Sequence, residues 1–312
     1  MIYQQNTKDI EISKKIINIS DNIKNNQISP DITTKNINDN NKENEYIQNS
    51  TENEYYFEYD PITNFGIKKW KDNTKFLGYF KNSLANGWGI LYNYDSEIFK
   101  AYFINNEING FGEYIHKNGY INIGYWSNDT QNGIGYEIMG EGCNYYGEFL
   151  NGKKNGIGKY EWNDNTRYEG EIKNNFFDGF GIYLYFDGRK YQGQWKKNHI
   201  EGYGEMTWID GNKYCGFYKQ DKKDGFGILY SPEDCFYIGF WKNGKKEGFG
   251  KIINKDEVKY GFWKNGKMEE DEDNMDENEF FDKLKNNKID FCYFKWNINQ
   301  LKSFFDIQIK DE

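Results

Sequence analysis

Glycine and apolar residues recur along the middle of this 312-residue chain with a fixed period of 23 positions. The second strand-like segment of each period contains two glycines separated by one residue. These pairs are Gly87/Gly89, Gly110/Gly112, Gly133/Gly135, Gly156/Gly158, Gly179/Gly181, Gly202/Gly204, Gly225/Gly227 and Gly248/Gly250. Apolar and polar residues alternate with a period of two around them, which is typical of β-strands. The pattern therefore predicts two short antiparallel strands in every period.

Aromatic residues fill fixed columns beside a further glycine column. Two positions before those glycines lie Tyr145, Tyr168, Tyr191, Tyr214 and Tyr237, and two positions after them lie Phe149, Trp195, Tyr218 and Trp241. Turns such as Asn243-Gly244 and Asp187-Gly188 separate the segments, and these dipeptides favour hairpins. Glycine weakens a strand by itself, so we expect a large ring to lie across each bare glycine backbone.

One face of the predicted strands is mostly apolar. It carries the column Leu91, Tyr114, Glu137, Tyr160, Tyr183, Met206, Leu229 and Ile252, in which Glu137 is the exception. We therefore expect this face to be the packed one.

The recurring unit, seen in YEGEIKNNFFDGFG, YQGQWKKNHIEGYG and YIGFWKNGKKEGFG, resembles the MORN (membrane occupation and recognition nexus) repeat. The resemblance covers residues 54–267 as eight full 23-residue repeats with partial repeats at both ends. The predicted fold is all-β, a single-layer, elongated, twisted antiparallel β-meander of MORN-repeat hairpins with a short C-terminal helix. A solenoid of this kind is stabilised by contacts between neighbouring repeats.

The flanking segments differ from the repeats. Residues 1–53 are rich in Asn, Lys and acidic residues and are predicted to form a disordered arm. Residues 268–279, MEEDEDNMDENE, carry eight acids and no base, which predicts a solvated acidic linker. Residues 280–312 are predicted to contain an amphipathic helix whose apolar positions are Phe291, Phe294, Ile298, Leu301 and Phe305. This helix either caps the sheet, contacts a dimer mate or another partner, or lies on a membrane surface.

Composition and motifs give no indication of catalysis. The net charge is −9, which argues against a nucleic-acid-binding domain. The chain has two histidines, no C-x-x-C pair and no GxxxxGK[ST] motif. We therefore expect a protein that is not an enzyme and holds no cofactor or metal. The start, MIYQQNTKDI, lacks the apolar core of a signal peptide, so we expect a cytoplasmic location. The MORN resemblance implies a position at the cytoskeleton, and lipid binding would place the chain at the inner face of a membrane.

Lysines cluster at one set of turns, and these are the candidate site residues for an anionic lipid or a partner: Lys153, Lys154, Lys196, Lys197, Lys222, Lys223, Lys245 and Lys246. In a meander such turns share one edge, although Glu201, Asp221, Asp224 and Glu247 dilute its charge. Three functions remain open. The first, which the MORN resemblance implies, is a protein-binding scaffold, homodimeric or not, at the cytoskeleton or cell cortex. The second is a peripheral module that binds phosphoinositides or other anionic phospholipids. The third is an accessory subunit of a lipid kinase complex.

Overall fold

The computed structural model describes residues 54–233, 235–255, 257–272 and 275–286. Within them the chain forms twenty β-strands and one α-helix, α1 (Glu277–Asn286). The strands are β1 (Glu54–Tyr59), β2 (Phe65–Trp70), β3 (Lys75–Lys81), β4 (Leu84–Tyr92), β5 (Ile98–Ile104), β6 (Glu107–Ile115), β7 (Ile121–Ser127), β8 (Thr130–Met139), β9 (Cys143–Leu150), β10 (Lys153–Glu161), β11 (Arg167–Lys173), β12 (Phe176–Leu184), β13 (Lys190–Lys196), β14 (His199–Thr207), β15 (Lys213–Lys219), β16 (Lys222–Ser231), β17 (Cys235–Lys242), β18 (Lys245–Asn254), β19 (Glu257–Lys264) and β20 (Lys267–Asp271).

The described residues belong to two compact units. The N-terminal unit comprises residues 54–164 and 172–175, and the C-terminal unit comprises residues 165–171 and 176–286. Consecutive strands pair within β1–β10 of the first unit and within β12–β20 of the second, always antiparallel. The prediction of an all-β antiparallel meander built from 23-residue hairpins is confirmed.

A tyrosine ring crosses the bare glycine backbone in successive repeats. We call Tyr145, Tyr168, Tyr191, Tyr214 and Tyr237 the tyrosine column, and the sheet side that carries it the aromatic face; each of these side chains is at most 2% exposed. The Tyr191 ring lies against Gly204, and its hydroxyl donates a 2.9 Å hydrogen bond to the carbonyl oxygen of Gln194. The ring fills the space that a Cβ at the glycine would need, as the sequence predicted.

The first glycine of each pair has a different role. Gly202 has a φ of +85°, and the pairing of β13 with β14 shifts register between Gly193 and Trp195. A β-bulge at this point requires a backbone conformation that glycine adopts without strain. One glycine therefore permits the bulge, and the next admits the ring.

Two-residue turns join the strands of each hairpin and contact the preceding hairpin. Both central residues of these turns have positive φ, for example Gln220 at 46° and Asp221 at 65°, as in type I′ turns. The Asp221 amide donates to the carbonyl oxygen of Ile200 at 3.0 Å, and its Oδ1 accepts from the Ile200 amide at 2.7 Å. This reciprocal pair links neighbouring repeats at the sheet edge.

Substitutions at Asp221 will distinguish the contribution of its side-chain hydrogen bond to stability from the contribution of its positive-φ backbone conformation. We expect Asp221→Asn to leave the free energy of unfolding nearly unchanged, because Asn keeps both the acceptor and the tolerance of positive φ. Asp221→Gly removes only the acceptor and should cost about 1 kcal/mol. Asp221→Ala adds the steric cost of a left-handed backbone and should cost about 2 kcal/mol. Urea denaturation of the three variants measures this order, and equal stability of the Gly and Ala variants would contradict it.

Helix α1 covers the opposite side of the sheet in the C-terminal unit. Phe280 and Leu284 of α1 are fully buried against Phe226, Ile238 and Phe249 of the sheet. Phe281 and Met275 complete this cluster, and the Asp276 carboxylate accepts from the Glu279 amide at the helix start. The helix buries apolar area that would otherwise face water.

The structure differs from the sequence prediction for residues 268–279. Residues 268–271 belong to β20, which pairs with β19, and residues 277–279 begin α1. Apolar side chains just after the acidic run hold this segment to the sheet. The predicted arm, residues 1–53, and the predicted helix positions Phe291, Phe294, Ile298, Leu301 and Phe305 lie outside the described residues.

Candidate functional site

The eight lysines predicted to share one edge fall into two groups. Lys153, Lys196, Lys197, Lys222 and Lys245 are exposed near the two-residue turns. Lys154, Lys223 and Lys246 instead lie over the tyrosine column on the aromatic face. Consecutive residues of a strand point to opposite sides, so the second lysine of a pair that follows a turn faces the rings. Only five of the eight predicted lysines therefore lie at the sheet edge.

The remaining edge is mixed in charge. Among the exposed turns, the carboxylate of Glu201 accepts from the Gln220 amide, and that of Glu247 accepts from the Asn265 amide, both at 2.9 Å. The Asp224 carboxylate accepts from the Asn243 amide at 3.3 Å. These acids hold turns in place while they offset the lysine charge at the same edge.

The three inward lysines repeat one geometry. The ammonium nitrogens of Lys154, Lys223 and Lys246 lie 5.1, 4.7 and 4.5 Å from the ring centres of Tyr145, Tyr214 and Tyr237, respectively. Each lysine follows its tyrosine by nine residues in the sequence. Ammonium groups over aromatic rings are attracted by the negative charge of the ring face.

Three rings surround the ammonium of Lys223. Its Nζ is also 5.0 Å from the Trp208 ring centre and 4.6 Å from that of Trp241. Burial and the charge of Lys246 lower the pKa of Lys223 to about 8, and burial also lowers the pKa of Lys246. Within the described residues, no carboxylate lies within ion-pair distance of either ammonium. The charge on both groups is therefore poorly compensated.

The strand next to Lys223 carries a buried hydroxyl that packs towards the preceding repeat. Tyr218 is directly opposite Lys223 in the pairing of β15 with β16, and its side chain is 6% exposed. In the part of the chain that the structure describes, the Tyr218 hydroxyl oxygen has no hydrogen-bond partner. Burial of a polar atom without a partner is costly. We define Lys223, Lys246, Trp208 and Trp241 as the lysine–aromatic cluster, which is the candidate site.

Lys154 has a different environment. Its ammonium forms an ion pair with Glu137, the one acidic member of the otherwise apolar column noted in the sequence. The side chains of Lys154 and Glu137 are 12% and 15% exposed. Sequence reasoning noted Glu137 but did not connect it with Lys154; the alternation of strand side chains was the signal that could have done so.

Other polar groups in the described residues serve the turns. His199 Nδ1 lies 2.6 Å from Asp221 Oδ2, and His116 Nε2 lies 2.9 Å from Glu97 Oε1, so each imidazole contacts a neighbouring turn. In the described ranges, no three His, Cys, Asp or Glu side chains are placed to hold a metal ion. Over the same ranges, no helix has the length and apolar character needed to cross a bilayer.

The sequence matches the MORN repeat family at residues 99–119, 145–167, 168–188, 191–213, 214–235 and 237–256. No curated protein matches it. Among solved structures, the chain is similar to the TCP10 domain of CPAP from Danio rerio, with 11% identity and a TM-score of 0.37 over 66% of this chain and 98% of that chain.

A second similar structure is the SAS-4 (dCPAP) TCP domain of Drosophila melanogaster in complex with a proline-rich motif of Ana2. It has 14% identity and a TM-score of 0.32 over 51% of this chain and 86% of that chain. The six matched repeats lie between residues 99 and 256, and each coincides with one hairpin of the structure. The chain therefore belongs to the MORN-repeat proteins.

Proposed function

We propose that this chain is a non-enzymatic scaffold that binds a protein partner on the aromatic face of its C-terminal unit. The observation that carries this proposal is that the two faces of the sheet in the C-terminal unit differ in what covers them. Among the described residues, α1 covers the face that carries Phe226 and Phe249. The aromatic face instead presents the half-buried ring of Trp208 and two ammonium groups without a carboxylate partner among those residues. Surfaces that combine aromatic rings with a few charged groups are typical of protein interfaces.

The construction of the sheet favours a rigid binding surface. Each column tyrosine is fixed by a hydrogen bond to a main-chain carbonyl three residues later, for example Tyr214 to Phe217 at 3.1 Å. Reciprocal turn contacts such as that between Asp221 and Ile200 fix the edge. A preorganised surface loses little conformational entropy when a partner binds. The MORN resemblance is the basis for placing this scaffold in the cytoplasm at the cytoskeleton or cell cortex.

Binding to anionic lipid is the second candidate, and the exposed lysines favour it. Lys196, Lys197, Lys222 and Lys245 project at turns of the C-terminal unit, where each would gain about 1 kcal/mol near an anionic bilayer. Glu201, Asp224 and Glu247 share these turns and reduce that attraction. We therefore place the protein partner first.

The experiment compares proteins retained from a lysate of the source cells by the wild-type chain and by two variants. Trp208→Ala removes a half-buried ring from the aromatic face, and Phe186→Ala removes a ring that is 72% exposed at a turn. We expect a defined protein, identified by mass spectrometry, to be retained by the wild type and by Phe186→Ala but at least about tenfold less by Trp208→Ala. Circular dichroism checks that both variants are folded.

Vesicle flotation provides the contrasting arm. Binding to phosphatidylserine or phosphoinositide vesicles that disappears at about 0.5 M salt, and that needs Lys196, Lys197, Lys222 and Lys245, would support the lipid function instead. Equal retention of every protein by the wild type and Trp208→Ala would contradict the proposed scaffold function.

A further inference from the structure

The chain itself contains an example of a carboxylate bound on the aromatic face. Lys154 lies over Tyr145, and Glu137, which pairs with Tyr145 between β8 and β9, supplies the carboxylate. The acid precedes its lysine by seventeen residues. This arrangement shows that an ammonium over a column tyrosine accommodates a carboxylate beside it.

The two lysines of the lysine–aromatic cluster occupy the same place without that acid. Met206 pairs with Tyr214, and Leu229 pairs with Tyr237, as Glu137 pairs with Tyr145. The positions equivalent to Glu137 therefore supply no carboxylate to Lys223 or Lys246. Burying an ammonium without a compensating charge is unfavourable, so a carboxylate supplied from outside would be bound with a gain in free energy.

We propose that Lys223 and Lys246 bind two carboxylates of an acidic segment of the partner protein, which packs against the half-buried ring of Trp208. This inference rests on the proposed scaffold function and specifies its partner. Each ammonium would donate hydrogen bonds to its carboxylate. Charge-assisted hydrogen bonds of this kind are about twice as strong as neutral ones.

The repeat spacing sets the distance between the two acids. Lys223 and Lys246 are separated by one repeat, which is two strands, so equivalent atoms are about 10 Å apart. Two residues separated by seven positions in an α-helix lie on the same face at about that distance. The site thus fits an acidic helix with Asp or Glu at positions i and i+7. Two separate single ammonium groups suit two carboxylates better than they suit one doubly charged phosphate.

The test uses a fluorescein-labelled, alanine-rich helical peptide with two Glu residues seven positions apart and two Leu residues between them on the same face. Its matched control has Gln in place of Glu. We expect fluorescence anisotropy to show binding of the Glu peptide to the full chain, weakened about tenfold or more for the Gln peptide and for the Lys223→Met/Lys246→Met variant. The control variant is Lys222→Met/Lys245→Met, which changes the adjacent exposed lysines and should bind as the wild type does.

A second variant keeps both lysines and supplies the acids internally. Met206→Glu/Leu229→Glu should recreate the Lys154–Glu137 arrangement in both repeats, so it should remain folded and lose peptide binding. Equal affinity for the Glu and Gln peptides, or unchanged affinity in Lys223→Met/Lys246→Met, would overturn the inference. Competition by phosphatidylserine vesicles together with equal binding of the two peptides would assign the lysines to lipid and overturn it as well.

The two proposals fail in distinguishable ways. If the cellular partner is lost in Trp208→Ala but retained by Lys223→Met/Lys246→Met, the scaffold function stands and the acidic-segment inference is wrong. If both variants retain every protein that the wild type retains, the aromatic face is not the binding surface and both proposals fail.

Discussion

Replacing Gly204 by alanine will destabilise the C-terminal unit by about 3 kcal/mol, because the new methyl group enters space that the Tyr191 ring occupies. A Cβ at this position would lie 2.5 Å from Cε2 and 2.6 Å from Cζ of Tyr191. The ring has little room to move, since its side chain is fully buried and its hydroxyl is bonded to the Gln194 carbonyl. Urea denaturation monitored by circular dichroism measures the change.

A second substitution identifies the ring as the cause. Tyr191→Ala is itself destabilising by about 3–5 kcal/mol, but on that background Gly204→Ala should cost less than about 1 kcal/mol. Gly119→Ala is the matched control, because a Cβ there meets no atom within 4 Å and only its φ of +86° is unfavourable. That variant should lose about 1 kcal/mol. If Gly204→Ala costs the same with and without the Tyr191 ring, the proposed packing of rings on glycines is wrong.

Alkaline pH will unfold the protein cooperatively above pH 10. Burial raises the pKa of tyrosines throughout both units, including Tyr191, Tyr214 and Tyr237, and raises that of Tyr260 to about 12. Their hydroxyls stay protonated in the folded chain, whereas in the unfolded chain they ionise near pH 10. The stability that these groups contribute is complete below pH 10 and is lost as pH rises further. Ionisation of Tyr191, Tyr214 and Tyr237 in the unfolded chain lowers the free energy of unfolding by about 4 kcal/mol per pH unit in this range.

The measurement follows tyrosinate absorbance near 295 nm and circular dichroism in one titration. We expect both signals to change together in a steep transition, and Tyr214→Phe to reduce the pH dependence of stability by one proton. Deprotonation of Lys223 has the opposite effect on stability at lower pH. Its pKa is about 8 when folded, so the unfolded chain binds more protons between about pH 8 and 10.5 and stability rises across that window. Tyrosine ionisation near pH 10 without loss of circular dichroism would contradict the burial argument.

The sequence was sufficient for the fold of the repeats because each local signal agreed with the others. The 23-residue period, the alternation around Gly204 and the Asn243-Gly244 turn all indicate the same hairpin, and the structure contains it. Such agreement between local preference and overall fold is characteristic of natural sequences. The placement of Tyr191 across a glycine followed from the weakness of glycine in strands.

Side-chain direction near the turns was harder to predict. Lys222 and Lys223 look equivalent as a basic pair, but Lys223 is the second residue of β16 and therefore faces the rings. Grouping lysines by turn ignored this alternation. The sequence predicted a short C-terminal helix but did not place it at α1. The charge of residues 268–279 masked the helical spacing of Phe280, Phe281 and Leu284, whose burial depends on a sheet face formed by residues far away in sequence.

The turn contacts connect a residue to the hairpin one repeat away, and the spacing is the same in almost every repeat. Asn106 contacts Ala85, Asn198 contacts Phe177, and Asp221 contacts Ile200, always across 21 residues. An in-frame deletion of one whole 23-residue period would therefore join equivalent columns and leave every remaining contact intact. A deletion one residue shorter would move the side chains of the following strands to the opposite face of the sheet. Genes encoding such arrays are thus free to gain or lose length in whole repeats, and a partner that reads two lysines one repeat apart would still find its spacing wherever both repeats survive.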